Sequence, residues 1–308
     1  MLPFFNRFAR YLLLAGLLLA PLSPPAMARA LPRHGAAPAA IAAPHPALWR
    51  LRFGASTIYL FGTVHLMSAE ADWFAPPVAR AFAASDTLVT EIIEPAPQEM
   101  ARLLLARATL PQGQSLRALL PAKTRATYEQ ALAGIHLPPA ALDRFQPAFG
   151  AVSLVTLSLK QAGFAPDNGV DAQLAARADA AHKAREALET VDFQLGLFAS
   201  LPMDKQQAYL AEVLDNLPKL PTDMRDVVAA WKAGRVARLA RLINDDTDDP
   251  ALKQALLINR NKAWAQWLKA RRLQPGTVFV AVGAGHLAGP GSVIDQLAAL
   301  GIRAERLP

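Results

Sequence analysis

Two histidines occupy matching positions near opposite ends of the chain, and histidine is a residue type that binds metal ions. Each follows a short apolar run in the pattern Gly-x-x-His: residues 59–65 read YLFGTVH and residues 278–286 read VFVAVGAGH. A neutral imidazole nitrogen is a ligand for divalent first-row metals. The repeated motif therefore predicts a metal site built from His65 and His286.

A carboxylate in a third apolar run completes a set of residues that would suit hydrolysis. Glu91 lies within residues 86–92, DTLVTEI, where a lone buried charge costs several kcal/mol unless it is paired or bound to metal. Glu91 is therefore a candidate ligand or general base, and an edge-strand glutamate facing water is the alternative. A divalent metal held by two histidines and a carboxylate keeps a position open for water, whose pKa it lowers. The spacing differs from His-Glu-x-x-His, which excludes the helix-borne metalloprotease arrangement.

Four other residues are further candidates for the same site. Gly62 and Gly283 permit tight backbone paths that would turn each following histidine back over the sheet edge. Asp171 is either the N-cap of a helix or a site residue. Glu189 could lie at a strand end that faces the same edge as Glu91.

Strands predicted at the two ends of the chain carry the candidate site residues. Apolar and polar residues alternate over residues 49–53, and residues 57–61 form a second strand that runs back, which predicts a hairpin. Residues 277–282 predict a buried strand, and residues 302–307 predict a terminal strand. Apolar strands bounded by glycine are typical of α/β sheets, whose ligands gather beyond the carboxyl ends of the strands. Residues 98–270 carry an almost entirely helical pattern. We therefore predict an α/β (α+β) fold, with a central mixed sheet of N- and C-terminal strands and a large helical insertion.

The N-terminus has the layout of a secretory signal peptide. Two arginines precede an apolar stretch at residues 11–22, and residues 26–28, AMA, form a small-x-small cleavage site. The apolar stretch is too short for a spanning helix, and an uncleaved anchor is the alternative. We predict a signal peptide over residues 1–28, cleavage near Ala28, and export to the periplasm or medium without stable membrane insertion.

Composition narrows the remaining possibilities. The chain has 308 residues, of which 53% are hydrophobic, and no cysteine, which excludes disulfides, lipoprotein attachment and thiol chemistry. Residues 29–47 are rich in alanine and proline and predict a disordered linker before a domain at 48–308. Removing the two arginines of the signal peptide changes the net charge from +7 to +5. This excess is spread over helical patterns, so no nucleic-acid partner is predicted.

In their order along the chain, the motifs resemble the TraB/GumN family, which includes the Tiki metalloproteases. The matching segments are residues 60–66 (LFGTVHL), Glu91, residues 169–171 (GVD), residues 188–190 (LET), Arg260-Asn261 and residues 282–289 (VGAGHLAG). The resemblance covers about residues 48–307.

The resemblance implies an α/β core, a divalent metal and cleavage of peptide bonds in exported proteins. The metal would be Mn²⁺ or Co²⁺, and Zn²⁺ also suits such ligands. His65 and His286 would bind it, Glu91 would act as ligand or general base, and Arg260 would stabilise an anion or position other groups. Asn261, beside Arg260 in the matched pair, is a further candidate.

One segment departs from the family pattern. Members have Gly-Lys-Pro before the strand that leads to Glu-Thr, whereas residues 182–187 here read HKAREA. The role of Glu189 is therefore left open. The sequence as a whole predicts an exported metal-dependent hydrolase acting on peptides or proteins. The alternatives are a periplasmic peptide- or signal-binding protein that uses the same cleft, and a structural factor whose histidines hold loops together.

Overall fold

The computed structural model describes residues 45–69, 72–244 and 250–308. The predicted signal peptide and most of the predicted linker lie outside these residues. The last residues assigned to the linker lead directly into the first strand, and His45 is buried there.

A six-stranded mixed sheet forms the centre of the molecule and confirms the predicted fold class. Its strands are β1 (Leu48–Phe53), β2 (Ser56–Thr63), β3 (Thr87–Thr90), β4 (Ala184–Ala187), β5 (Gly276–Gly283) and β6 (Glu305–Arg306). Their order is β4-β3-β5-β2-β1-β6. The first four strands in that order run parallel, and β1 and β6 are antiparallel additions at one side. The terminal strand is shorter than predicted.

Helices fill the chain between the sheet strands. They are α1 (Pro76–Ala83), α2 (Pro97–Ala108), α3 (Leu116–Leu119), α4 (Ala122–Gly134), α5 (Pro147–Gln161), α6 (Val170–Ala180), α7 (Val191–Ala199), α8 (Met203–Asn216), α9 (Leu220–Lys232), α10 (Val236–Ile243), α11 (Pro250–Lys253), α12 (Asn259–Arg271) and α13 (Val293–Ala299). A π-helical turn, Gln254–Ile258, joins α11 to α12. Within residues 98–244 and 250–270, β4 is the only strand of the sheet, so the predicted insertion is mainly helical. Among the described residues, no helix has both the length and the apolar character needed to cross a bilayer.

Both faces of the sheet are covered by helices. In β5, Phe279 and Ala281 face a large helical core, whereas Val278 and Val280 face a smaller core that includes Trp264 of α12. This alternation follows from the two-residue period of a strand. Because both faces are buried, the strands read as nearly continuous apolar runs. The parallel strands all end at one edge of the sheet, and that edge carries the candidate site.

Candidate active site

The ends of the four parallel strands bring the predicted residues together. His65 follows β2, Glu91 follows β3, Glu189 follows β4 and His286 follows β5. Each reaches the same edge because parallel strands have their carboxyl ends on one side of a sheet.

The imidazole of His65 is held by a carboxylate from α6. Its Nδ1 lies 2.7 Å from Oδ2 of Asp171, and the hydroxyl of Thr63 donates to Oδ1 of the same carboxylate at 2.7 Å. Burial alone lowers the pKa of His65, but the charge and hydrogen bond of Asp171 outweigh it and raise that pKa to about 9. Nε2 of His65 faces the centre of the site, 3.6 Å from where a Cβ on Gly283 would lie.

Asp171 reaches His65 because α6 begins directly against the β2 end. The N-cap of α6 is Gly169, so the N-cap interpretation of Asp171 is wrong, and its side chain is free to bind His65. A Cβ on Gly169 would lie 2.2 Å from the backbone oxygen of His65. Only glycine therefore allows this close approach.

His286 is fully buried, and its tautomer is fixed by its neighbours. Its Nδ1 lies 2.6 Å from Oδ1 of Asn261, whose Nδ2 donates to the backbone oxygen of Gly291. This second bond orients the amide so that Nδ1 carries the proton and Nε2 has a free lone pair. That lone pair accepts a hydrogen bond from Nη1 of Arg260 at 3.2 Å. Burial and the Arg260 charge lower the pKa of His286 to about 3, which keeps the ring neutral.

Glu91 is buried and ionised at the centre of the site. The backbone N–H of Gly283 donates to Oε1 at 2.7 Å, and Oε2 accepts from Arg260 at 2.7 Å and from Gln194 at 3.1 Å. Burial alone raises the pKa of Glu91, but the Arg260 charge and then the two histidines outweigh it and lower that pKa to about 2. Glu91 therefore lies beyond the end of β3 as a paired charge, and the water-facing alternative does not describe it.

Arg260 joins the two carboxylates of the site. Its Nη2 donates to Glu91 and to Glu189 at 2.8 Å, its Nε donates to Glu189, and its Nη1 faces Leu256 and His286. Burial lowers the pKa of Arg260, but the charges of both glutamates outweigh it and raise the pKa above its usual range. A guanidinium has five N–H groups, and each has an acceptor here. The geometry favours the positioning role of Arg260, because no N–H remains for a substrate oxygen.

Three residues of this network were absent from the sequence-based set. Gln194 donates to both Glu91 and Glu189, and the indole of Trp264 donates to Glu189 at 2.9 Å. Thr63 orients Asp171. Two of them had a usable signal: Gln194 is a lone amide in the apolar helix α7, and Trp264 lies one turn after Arg260 on the same helix face.

The two motif glycines serve close approach. A Cβ on Gly62 would lie 3.0 Å from Cα of Ala284, and a Cβ on Gly283 would lie 3.1 Å from Oε1 of Glu91. Neither glycine has a positive φ. The predicted reason, a backbone path reserved for glycine, is therefore wrong, and the space that each side chain would fill is what matters.

The residues fit a divalent metal in donor type and orientation. Both histidines are tied at Nδ1 by a neighbouring side chain, as metal-ligating histidines are, and Oε1 of Glu91 keeps acceptor capacity beside them. Asp171, Glu91 and Glu189 supply three negative charges and Arg260 one positive charge, so the site carries a net charge of about −2 when both imidazoles are neutral, as metal binding requires.

The three donors do not form a closed metal site in this arrangement. His286 Nε2 lies 3.9 Å from Glu91 Oε1, and within residues 45–69, 72–244 and 250–308 no three histidine or acidic side chains stand close enough together to hold one ion. Nε2 of His286 already accepts a hydrogen bond from Arg260. Binding of a metal by all three donors therefore requires that Arg260 release this nitrogen.

Replacing Asp171 by asparagine is expected to weaken metal binding about 10- to 100-fold, the usual effect of losing such a partner. An asparagine amide that donates to Nδ1 of His65 moves the proton to Nε2, which then cannot bind metal. Titration of Mn²⁺ by calorimetry measures the effect. Asp179→Asn, on the exposed end of the same helix, is the matched control. Equal affinity of the Asp171 variant and the wild type would contradict the positioning role.

Comparison with known proteins identifies related sequences. The family described as TraB/PrgY/gumN matches residues 47–306. A protein of Escherichia coli (strain K12), described as uncharacterized protein YbaP, is 29% identical over 147 residues, which are 48% of this chain and 54% of the E. coli protein. The match thus spans about half the length of that relative. An uncharacterized protein of Treponema pallidum (strain Nichols) is 24% identical over 278 residues, 85% of this chain and 82% of that protein. No solved structure matches the chain significantly.

Proposed function

Because this chain belongs to the TraB/PrgY/gumN family, we propose that it is an exported, metal-dependent hydrolase acting on peptide bonds. One observation carries the proposal. Two imidazoles are each fixed through Nδ1; Nε2 of His286 lies 3.9 Å from Oε1 of the ionised Glu91, and Nε2 of His65 faces the same space beside Gly283. That set of donors suits Mn²⁺ or Co²⁺, and Zn²⁺ is the third candidate.

His65, His286 and Glu91 would hold the ion. When bound, it would polarise the scissile carbonyl and make water more acidic at neutral pH. The other residues prepare the three donors: Asp171 orients His65, Asn261 orients His286, and Arg260 with Gln194 fixes Glu91. Glu91 is better suited to be a ligand than a general base, because its low pKa makes it a weak proton acceptor.

A binding protein is the second candidate, and one contact favours it. Arg260 already occupies the lone pair of His286 that a metal would need. If that contact persists, the edge of the sheet is a charged pocket without an ion, suited to capturing a peptide or signal molecule. Hydrolysis in the presence of metal separates the two candidates.

The test is cleavage of a defined peptide mixture by the purified protein, followed by mass spectrometry, with added Mn²⁺ or Co²⁺ and with chelator. We expect cleavage that depends on the added metal and stops with chelator. Peptides that are retained but never cleaved would reject the hydrolase and support the binding protein. Mass spectrometry of the protein recovered from the periplasm tests export, with an N-terminus near residue 29 expected.

A further inference from the structure

β4 is an edge strand of the sheet. β4 lies at the end of the sheet and pairs only with β3. The N–H groups of Ala184 and Leu188 donate to the backbone carbonyls of Asp86 and Thr90 on the β3 side. Because backbone groups alternate in direction along a strand, Arg185 and Ala187 direct their N–H and C=O groups outward. No other strand of the described residues pairs along this edge. An edge of this kind is a template for a further strand.

A cleft lies at the C-terminal end of this edge, beside a residue of the candidate active site. Its volume is about 830 Å³, and Ala187 and Glu189 line it. Ile93, Leu103 and Val191 supply apolar lining from the loop after β3, from α2 and from the start of α7. Glu189 is also the residue that Arg260 and Trp264 hold inside the site. Glu189 is therefore shared by the wall of the cleft and the candidate active site.

The charges on the cleft wall are already neutralised. Arg102 pairs with Glu99 at 2.6 Å, and Arg107 pairs with Asp192 at 2.8 Å. Each arginine thus has a carboxylate of its own, and these pairs leave no surplus charge for a strongly charged ligand. The free edge of β4 instead offers a row of backbone donors and acceptors, which ends at Ala187 beside the apolar side chains of the cleft. This combination suits the main chain of an extended peptide.

We infer that an extended peptide segment docks as an added strand on the free edge of β4, enters the cleft at Ala187, and continues past Glu189 toward His65 and His286. Main-chain hydrogen bonds to Arg185 and Ala187 would hold it, so recognition depends on extended conformation more than on particular side chains. The inference specifies the substrate of the proposed hydrolase and rests on that function only for the fate of the bound peptide.

The test uses hydrogen exchange followed by NMR on the whole protein, with chelator present. The probe is an eight-residue peptide in which threonine and valine alternate between terminal lysines. At saturating peptide we expect the amides of Arg185 and Ala187 to exchange at least about tenfold more slowly. The same peptide with proline in place of each valine is the control, since proline cannot donate to a ladder.

A variant protein provides an independent measurement. Ala187→Pro removes one outward N–H without breaking the ladder to β3, and we expect it to weaken binding of a dye-labelled probe about tenfold or more in fluorescence anisotropy. Ala122→Pro, at the exposed first position of α4, is the matched control because proline is tolerated there. If Ala187→Pro does not fold, the exchange measurement on the wild type still decides.

Three results would overturn the inference. These are unchanged exchange at Arg185 and Ala187 with saturating probe, undiminished binding by a folded Ala187→Pro variant, and protection of these amides without probe that grows with protein concentration. The last would assign the edge to a second copy of the chain. The docking inference and the hydrolase proposal can fail separately. Protection of the Arg185 and Ala187 amides without cleavage of any peptide would support docking and reject the hydrolase. Cleavage without that protection would support the hydrolase and reject docking.

Discussion

Replacing Arg260 by methionine is expected to lower the free energy of unfolding by about 3–5 kcal/mol, the cost of breaking a buried ion pair by removing one partner. Arg260 is 2% exposed, and its partners Glu91 and Glu189 are 5% and 7% exposed. Without the guanidinium, two buried carboxylates would lie close together and lose the cation that they share. The measurement is chemical denaturation at neutral pH without metal, with the slope of the transition compared between variant and wild type.

The control for Arg260 is an arginine whose ion pair is exposed. Arg102 pairs with Glu99 on the surface of α2, with 65% of its side chain exposed. Solvent screens such a pair, so Arg102→Met should leave the denaturation midpoint nearly unchanged. If the two variants lost equal stability, the buried network would not be the feature that holds this edge of the sheet together.

Replacing both His65 and His286 by alanine is expected to abolish metal binding and metal-dependent hydrolysis. Losing one supporting partner of a ligand typically costs 10- to 100-fold in affinity, so losing two ligands should cost more than about 100-fold. Elemental mass spectrometry of the purified protein, after incubation with Mn²⁺ or Co²⁺ and removal of the excess, measures bound metal directly. We expect about one ion per chain in the wild type and none in the variant.

Two histidines outside the site provide the control for that experiment. His136 and His182 are exposed and have φ values of 59° and 52°. Asparagine tolerates this conformation, so His136→Asn/His182→Asn should keep the wild-type metal content. Retention of stoichiometric metal by the folded alanine variant would reject His65 and His286 as ligands. Absence of metal from the wild type as well would favour the binding protein.

The hydrogen bond between Arg260 and His286 links the stability of the protein to metal binding. Arg260 stabilises the metal-free site by donating to His286, yet that donation occupies the lone pair that an ion requires. The stabilisation by Arg260 should therefore be largest without metal.

The amino-acid pattern was enough to predict which strands carry the site. The hairpin, the strand that delivers His286 and the mixed sheet were predicted correctly, because the first hairpin strand alternates apolar and polar residues and the buried strands show short continuous apolar runs. The same patterns predicted that His65, Glu91 and His286 lie at one edge of the sheet, since the carboxyl ends of parallel strands meet there. These conclusions need only local pattern and the geometry of a sheet.

Tertiary packing sets which side chains hydrogen-bond to one another at that edge. Asp171 reaches His65 from 106 positions away, and Arg260 reaches Glu91 across 169 positions. Sequence periodicity predicts which face of a helix is buried, but the register of one helix against a distant strand depends on packing throughout the core. For the same reason, only the folded chain revealed that every N–H of Arg260 is engaged, and that Gly62, Gly169 and Gly283 are glycines because neighbouring atoms occupy the space of a side chain.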